Sequence, residues 1–387
     1  DTSMGEDPQS ASIVFTFYGC GHDEHALHGW LQSRLPDTAV IGGSSSGGLI
    51  TDKGYLDQHG IGVLLVDDTD GDYGVAAGPL GDDASKAAEL LLQQALADCG
   101  CTGQLPELIW LYQAPGREEQ VIEGLRQVVG DNCPIVGGSS ADNDVSSQWS
   151  QLGPDGPLVD GLVLAVLFPS SSLGYAFQGG YEPVGPSGIV TGIGYQPAGE
   201  SGVVTSSCGR QILSIDNRPA AEVYNSWVDD LIGQRMRDGG SILADTTMFP
   251  LATDAGKADG VSHYLLIHPE SIGEQGSLRT FCNLEVGARV YAMKGETRRL
   301  VERSGNVAEQ ARKVVESGGG QVAGGLVVFC GGCKIAVGES VCDVPDAVAA
   351  GLGDVPFIVC FTFGEQGRLI DSNVHGNLMI STVAFGG

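Results

Sequence analysis

One pattern of apolar runs and glycine-rich breaks occurs three times in this 387-residue chain, and a threefold repeat constrains a fold more tightly than local propensity does. The clearest copy occupies residues 323–387. It has an apolar run at 325–329, a glycine-rich turn at Cys330, Gly331, Gly332 and Cys333, a helical stretch ending near Leu352, and apolar runs at 356–360 and 377–385. The polar connection 364–373 is rich in Gly, Asn and Asp and reads as turns. In the first copy the run 12–17 leads through a helix spanning Trp30 and Leu35 to 38–41, Gly42, Gly43, Ser44, Ser45 and the run 60–66. In the second, 107–111 leads through a helix spanning Val121, Leu125 and Val128 to 134–136, Gly137, Gly138, Ser139, Ser140 and 161–168. The pattern predicts internal duplication, with 12–66 superposing on 107–168.

The apolar runs are nearly continuous and the helical stretches have one apolar face, as strands buried under helices require. Residues 82–97 show it well: Ala84, Ala88, Leu91, Leu92 and Ala95 follow helical spacing, with Asp82 or Asp83 as cap and Gly100 as stop. A second helix is predicted over 297–316, and Pro219 is read as the first helical residue of another. Aromatic residues make up only 6% of the chain, so the core is expected to be built from Val, Leu, Ile and Ala. Residues 169–202 are rich in Ser, Gly and Pro, and the regular pattern resumes at Val203. The expected fold is therefore mixed α/β, in two domains of pseudo-repeated β-α-β-β units with mixed sheets covered by helices. The expected boundaries are a flexible tail at 1–11 and domains at 12–204 and 205–387.

The net charge is −28, from 48 acidic and 20 basic residues. Such a surface repels phosphate backbones and anionic lipid heads, so nucleic acid and an anionic bilayer are poor partners. No apolar run approaches the roughly 18 residues a membrane helix needs. The ten cysteines lie mostly in apolar surroundings, which suggests thiols in a reducing compartment. The expectation is a soluble intracellular protein, cytoplasmic or organellar. The chain starts at Asp1 rather than Met, and removal of a targeting peptide is one explanation.

Several motifs together resemble a known family. Val40 to Ser45 paired with Pro134 to Asp142, then Asp160 to Leu164, is similar to the N-terminal FIST domain. Ser214 to Tyr224, then Phe329 and Cys330, Phe363 to Glu365, and His375 to Asn377 resemble its C-terminal partner domain. The resemblance implies a small-ligand sensory module, with haem the cofactor that some members bind. Neither an F-box before the first strand nor a kinase or cyclase after Gly387 is expected, so any output is expected to pass through a protein partner. The chain departs from the family pattern at Gly332 and Cys333 and where Gly376 separates His375 from Asn377.

The ligand-binding residues so indicated are Gly42, Gly43, Ser44, Ser45, Gly137, Gly138, Ser139, Ser140, Cys330, Gly364, Glu365, His375 and Asn377, with Glu365 available to pair an amine. The two Gly-Gly-Ser-Ser loops can act as anion nests or simply allow close strand approach. Cys330 and Cys333 have the spacing of a redox or metal pair, but a structural zinc site needs a second pair, and only Cys20 offers itself. His22, His25, His28 or His375 can supply an axial imidazole to a haem. The acidic run 67–72 departs from a calcium loop in its Gly spacing and its missing Glu. No nucleophile–base pattern stands out, so the protein is expected to be non-catalytic and to have no metal site. Two readings of function remain: a small-ligand sensor for an amino-acid-like metabolite or haem, and an interaction or accessory subunit of a larger assembly.

Overall fold

The computed structural model describes residues 11–196, 207–258 and 260–387. The first unit comprises β1 (Ile13–Gly19), α1 (Glu24–Arg34), β2 (Ala39–Ser45), the hairpin β3 (Leu49–Thr51) and β4 (Gly54–Leu56), and β5 (Ile61–Val66). After β6 (Asp72–Pro79) and α2 (Ala84–Asp98) come β7 (Leu108–Gln113), α3 (Glu118–Val129), β8 (Ile135–Ser139), the hairpin β9 (Gln151–Gly153) and β10 (Gly156–Leu158), and β11 (Gly161–Phe168). β12 (Leu173–Gly179) leads into an inserted segment. Its elements are β13 (Glu182–Gln196), β14 (Ser207–Ile215), β15 (Arg218–Pro219), α4 (Ala220–Trp227), α5 (Gly233–Asp238), β16 (Gly240–Ser241), α6 (Leu243–Thr246), β17 (Leu251–Ala258), β18 (Val261–Ile267), β19 (Pro269–Ile272), β20 (Leu278–Thr280) and β21 (Arg289–Lys294). The long helix α7 (Thr297–Ser317) then introduces β22 (Val322–Cys330), α8 (Gly331–Val337), α9 (Val344–Leu352), β23 (Phe357–Thr362), the hairpin β24 (Glu365–Leu369) and β25 (Ser372–Gly376), and β26 (Met379–Gly386).

The three units share one topology. In each, the first strand is central, parallel to the second and antiparallel to the last: β1 with β2 and β5, β7 with β8 and β11, β22 with β23 and β26. Each unit's hairpin leaves its own sheet and extends another's. β9 pairs with β2, β24 with β8, and β3 with β23, so the exchange closes in a ring. Strands on the two sides of residue 205 consequently share sheets: β12, β3 and β4 lie in one sheet with β22, β23 and β26.

Alternation along the central strands decides what goes where, because successive side chains of a strand face opposite sides of the sheet. Ile13, Phe15 and Phe17 join Leu108, Trp110, Tyr112, Leu326 and Val328 in a core shared by the three sheets, where Phe15 meets Trp110 edge-on at 5.9 Å. The intervening residues face outward under helices. Val14 and Val40 pack with Leu27 and Leu31 of α1, Ile109 and Leu111 with α2 and α3, and Val327 and Phe329 with α7 to α9. α2 begins where Asp83 accepts a hydrogen bond from the Lys86 amide at 2.9 Å, a cap worth about 1 kcal/mol.

Several sequence expectations are corrected. The connection 364–373 is the hairpin β24–β25, turned by Ile370 in the left-handed region (φ 57°), so its polar residues alternate along strands. Gly331 and Gly332 do not form a turn; they open α8, where the Cys330 Sγ accepts from the Gly332 amide at 3.3 Å. Pro219 caps α4 and does not enter it. Much of the Ser, Gly and Pro-rich stretch is β13, whose register shifts let it pair with β21 at one end and β14 at the other. Residues 1–10 of the expected tail and 197–206 around the expected boundary lie outside the described residues. Among the described residues, no helix is long and apolar enough to cross a membrane.

Candidate functional site

The Gly-Gly-Ser-Ser motifs end the parallel strands β2 and β8. A Cβ on Gly42 would lie 1.7 Å from the Thr16 carbonyl oxygen, and one on Gly137 would lie 2.0 Å from that of Leu111. Glycine is thus required by the approach of the neighbouring strand. Gly43 similarly accommodates the Tyr112 ring and Gly138 the Thr362 side chain. The four serines are buried and partnered within the protein. Ser44 Oγ accepts from the Ser150 amide (3.0 Å), and Ser45 Oγ accepts from the Phe361 amide (2.8 Å) and donates to the Gly48 carbonyl. Ser139 Oγ donates to Glu118 (2.8 Å), and Ser140 Oγ donates to the Gln113 carbonyl and accepts from Gln151.

Just beyond these strand ends lies a cavity of about 110 Å³. Every unit lines it: Ser46 follows β2, Asn143 to Val145 follow β8, and Cys330, Gly331, Gly332 and Phe363 stand at the ends of β22 and β23. The inserted segment closes it with Leu243, His268 and Phe281, and Asn377 reaches it from the bend between β25 and β26. Asn377 is buried. Its Oδ1 accepts from the Cys282 thiol (2.9 Å) and the His268 amide (3.3 Å), while its Nδ2 has no partner. Burial holds the His268 imidazole down to about 4, so it is neutral at pH 7, and its Nε2 lies 3.0 Å from the Leu243 carbonyl. Burial, with Cys333 beside it, holds Cys330 well above the usual thiol range.

Gly364, Glu365 and His375 lie on the other side of Asn377. Glu365 is buried with its carboxyl turned inward, accepting from Thr362 Oγ1 (2.7 Å) and the Met379 amide (3.1 Å). Burial, reinforced by Cys330, raises it well above the usual carboxylate range. Gly364 makes room for His375, whose Nε2 a Cβ there would approach to 2.5 Å. His375 Nδ1 is 3.0 Å from Glu119 Oε1. The Arg210 guanidinium bridges Glu118 (2.7 Å) and Glu119 (2.6 Å). Burial alone would raise both carboxylates and lower His375. The opposite charges overcome it, so Glu118 and Glu119 are held below their ordinary range and His375 above its own. Glu119, Cys282 and His375 form part of the wall of a larger cavity, about 380 Å³, with Arg126, Leu265 and Glu285.

Of the residues indicated by sequence, Cys330 and Asn377 reach the smaller cavity and His375 the larger. Leu243, His268, Phe281, Cys282, Arg210, Glu118 and Glu119 were not indicated. They come from distant stretches, and only the three consecutive charges Arg117, Glu118 and Glu119 opening a helix carried a local signal. The residues do not fit a haem. Among the described residues His22, His25 and His28 line none of these cavities, and the His375 wall, though largely apolar through Ile122, Leu265, Ile267 and Leu284, also carries Glu119, Glu123, Arg126 and Glu285, with His375 Nδ1 already 3.0 Å from Glu119, whereas a haem iron needs an imidazole free in an apolar slot. Cys330 and Cys333 join no third metal-ligating side chain among the described residues.

No curated protein sequence matches the chain. Among solved structures, cyanuric acid hydrolase from A. caulinodans aligns over 97% of this chain and 90% of its own, at 8% identity and a TM-score of 0.34. PurLQS from Thermotoga maritima aligns over 95% and 77%, at 9% identity and a TM-score of 0.25. Likenesses this distant support no statement about fold or chemistry. The family models are decisive: the FIST N domain matches residues 12–193 and the FIST C domain residues 220–368, and the chain belongs to the FIST family.

Proposed function

We propose that this protein is a sensory module that binds a small amino-acid-like molecule in the cavity beside Asn377 and passes its state to a protein partner. The family is associated with small-ligand sensing. The observation that carries the reading here is the buried Asn377 Nδ2, a donor without an acceptor on the wall of a cavity built by all three units. An unpaired buried donor costs about 1–3 kcal/mol, which a ligand carbonyl or carboxylate would recover. Asp144 on the same wall offers a carboxylate to an amine. A cavity of about 150 Å³ holds one benzene, so 110 Å³ suits something slightly smaller. The position at the carboxyl ends of parallel strands is where open α/β sheets commonly take ligands.

The inserted segment contributes Leu243, His268 and Phe281, and the three-unit body contributes Ser46, Cys330 and Phe363. A ligand touching both favours the closed arrangement over any looser one, and that difference is what a partner reads. The test is a thermal-shift panel of glycine, alanine, serine, lactate and pyruvate on the wild type and on Leu243→Phe, which fills the cavity. A ligand at 100 times its Kd adds about 2.7 kcal/mol, so the expected result is a clear shift in the wild type that Leu243→Phe abolishes. Shifts that persist in Leu243→Phe, or none in the wild type, would refute the reading.

A further inference from the structure

Outside the Asn377 cavity, three side chains with metal-ligating chemistry converge from distant parts of the chain: Glu119 from the start of α3, Cys282 from the inserted segment after β20, and His375 from β25. One ligand atom from each lies within 4.8 Å of the other two, and among the described residues this is the one such group of three. His375 Nδ1 and Glu119 Oε1 already stand 3.0 Å apart. Ligand atoms around a tetrahedral zinc sit roughly 3.2–3.6 Å from one another, given bonds of about 2.0–2.3 Å. Shifts of about 1 Å or less in the thiol and the carboxylate would therefore complete a three-point set.

We infer that Glu119, Cys282 and His375 form a binding site for a divalent transition metal, with zinc the best-suited ion, opening on the 380 Å³ cavity. The donor set mixes one thiolate, one imidazole and one carboxylate, which suits a borderline-soft ion and disfavours magnesium or calcium. Three protein ligands leave a fourth position, and the cavity they line supplies the space for water or an added ligand there. Coordination displaces the Cys282 thiol proton and the His375 Nδ1 proton. The cluster's surroundings hold the ligands in place. Arg210 and the Asn283 amide fix Glu119, while Nε2 of His375 is buried without a hydrogen-bond partner. The Cys282 thiol donates to Asn377 Oδ1 in the metal-free protein, and coordination through the thiolate ends that hydrogen bond.

Titrating the full chain with Co²⁺ under reducing conditions tests the inference. Expected are a near-ultraviolet thiolate-to-cobalt charge-transfer band and intense visible bands of a four-coordinate ion, saturating at one ion per chain and displaced by Zn²⁺. The charge-transfer band should disappear in Cys282→Ser. Glu119→Gln, at a partly exposed position, should weaken binding at least tenfold, and Cys333→Ser should leave the spectrum as in the wild type. Absence of the band, its survival in Cys282→Ser, unchanged affinity in Glu119→Gln, or its loss in Cys333→Ser would each overturn the assignment. None of these outcomes depends on whether the Asn377 cavity binds a small molecule.

Discussion

Replacing Arg210 by Met should destabilise the protein by about 3–4 kcal/mol at pH 7, and the reason lies in what the guanidinium leaves behind. Arg210 comes from the inserted segment and is its cationic link to Glu118 and Glu119 of α3. Met keeps most of the side-chain volume, so the loss is chiefly electrostatic. Removing one partner of a buried ion pair costs about 3–5 kcal/mol, and Glu118 is only 2% exposed. Glu119 is 28% exposed and adds no more than a surface pair, about 0–1 kcal/mol. His375, held above its ordinary range, still faces both, which keeps the total toward the lower end. The pH dependence follows from the direction of the carboxylate shifts. Both folded-state values lie below the ordinary one in the wild type, so their stabilisation is present above about pH 4.3 and is lost as the pH falls through the folded values. Without Arg210 the depression weakens, because His375 alone then offsets the burial that favours the protonated acids. The difference between wild type and Arg210→Met is therefore full at pH 7 and shrinks below about pH 5. Urea unfolding of both proteins, with Glu118→Gln in each background, measures it, and the coupling energy should exceed about 2 kcal/mol. A loss under about 1 kcal/mol at pH 7, the range of an exposed pair, or a loss as large at about pH 4 as at pH 7, would refute the reasoning.

Gly42→Ala should abolish or severely reduce soluble folding, with a loss above about 4 kcal/mol, because the new Cβ meets the Thr16 backbone, whereas Gly29→Ala, with nothing within 4 Å on an exposed face of α1, should gain about 0.5–1 kcal/mol; reversal of that order in denaturation curves would contradict the strand geometry. Burial holds the Lys334 amine down to about 8, against about 10.4 unfolded, so the unfolded state binds more protons between those values. The stability of the wild type relative to Lys334→Met should accordingly rise by about 3 kcal/mol between pH 7.5 and 10.5, and a flat difference would place the amine in water.

Much of the architecture was legible because each central strand is a run of alternating inward and outward apolar residues, and each helix carries one apolar stripe. The shared order of Phe15, Trp110 and Val328 in three similar stretches gave the repeat. The hairpin exchange was not legible, since β3, β9 and β24 are short and their partners lie in other units, so no local pattern records which sheet they extend. Gly42 and Gly137 were visible as special positions, but their reason is steric, a neighbouring carbonyl where a side chain would be. Asn377 was found through the family pattern. His268, Arg210 and Cys282 were not, because they acquire their roles only when the inserted segment folds against the three units.

Sensing by this protein requires that the cavity beside Asn377 hold a small molecule. Native mass spectrometry of the protein purified without added ligand, followed by denaturing release and identification of what leaves, tests this most directly. The expected result is one small polar molecule per chain, smaller than benzene and bearing a carbonyl or carboxylate, present in the wild type and missing from Leu243→Phe. A wild-type mass equal to that of the bare chain, together with no shift from any member of the panel, or a bound molecule retained by Leu243→Phe, would contradict it.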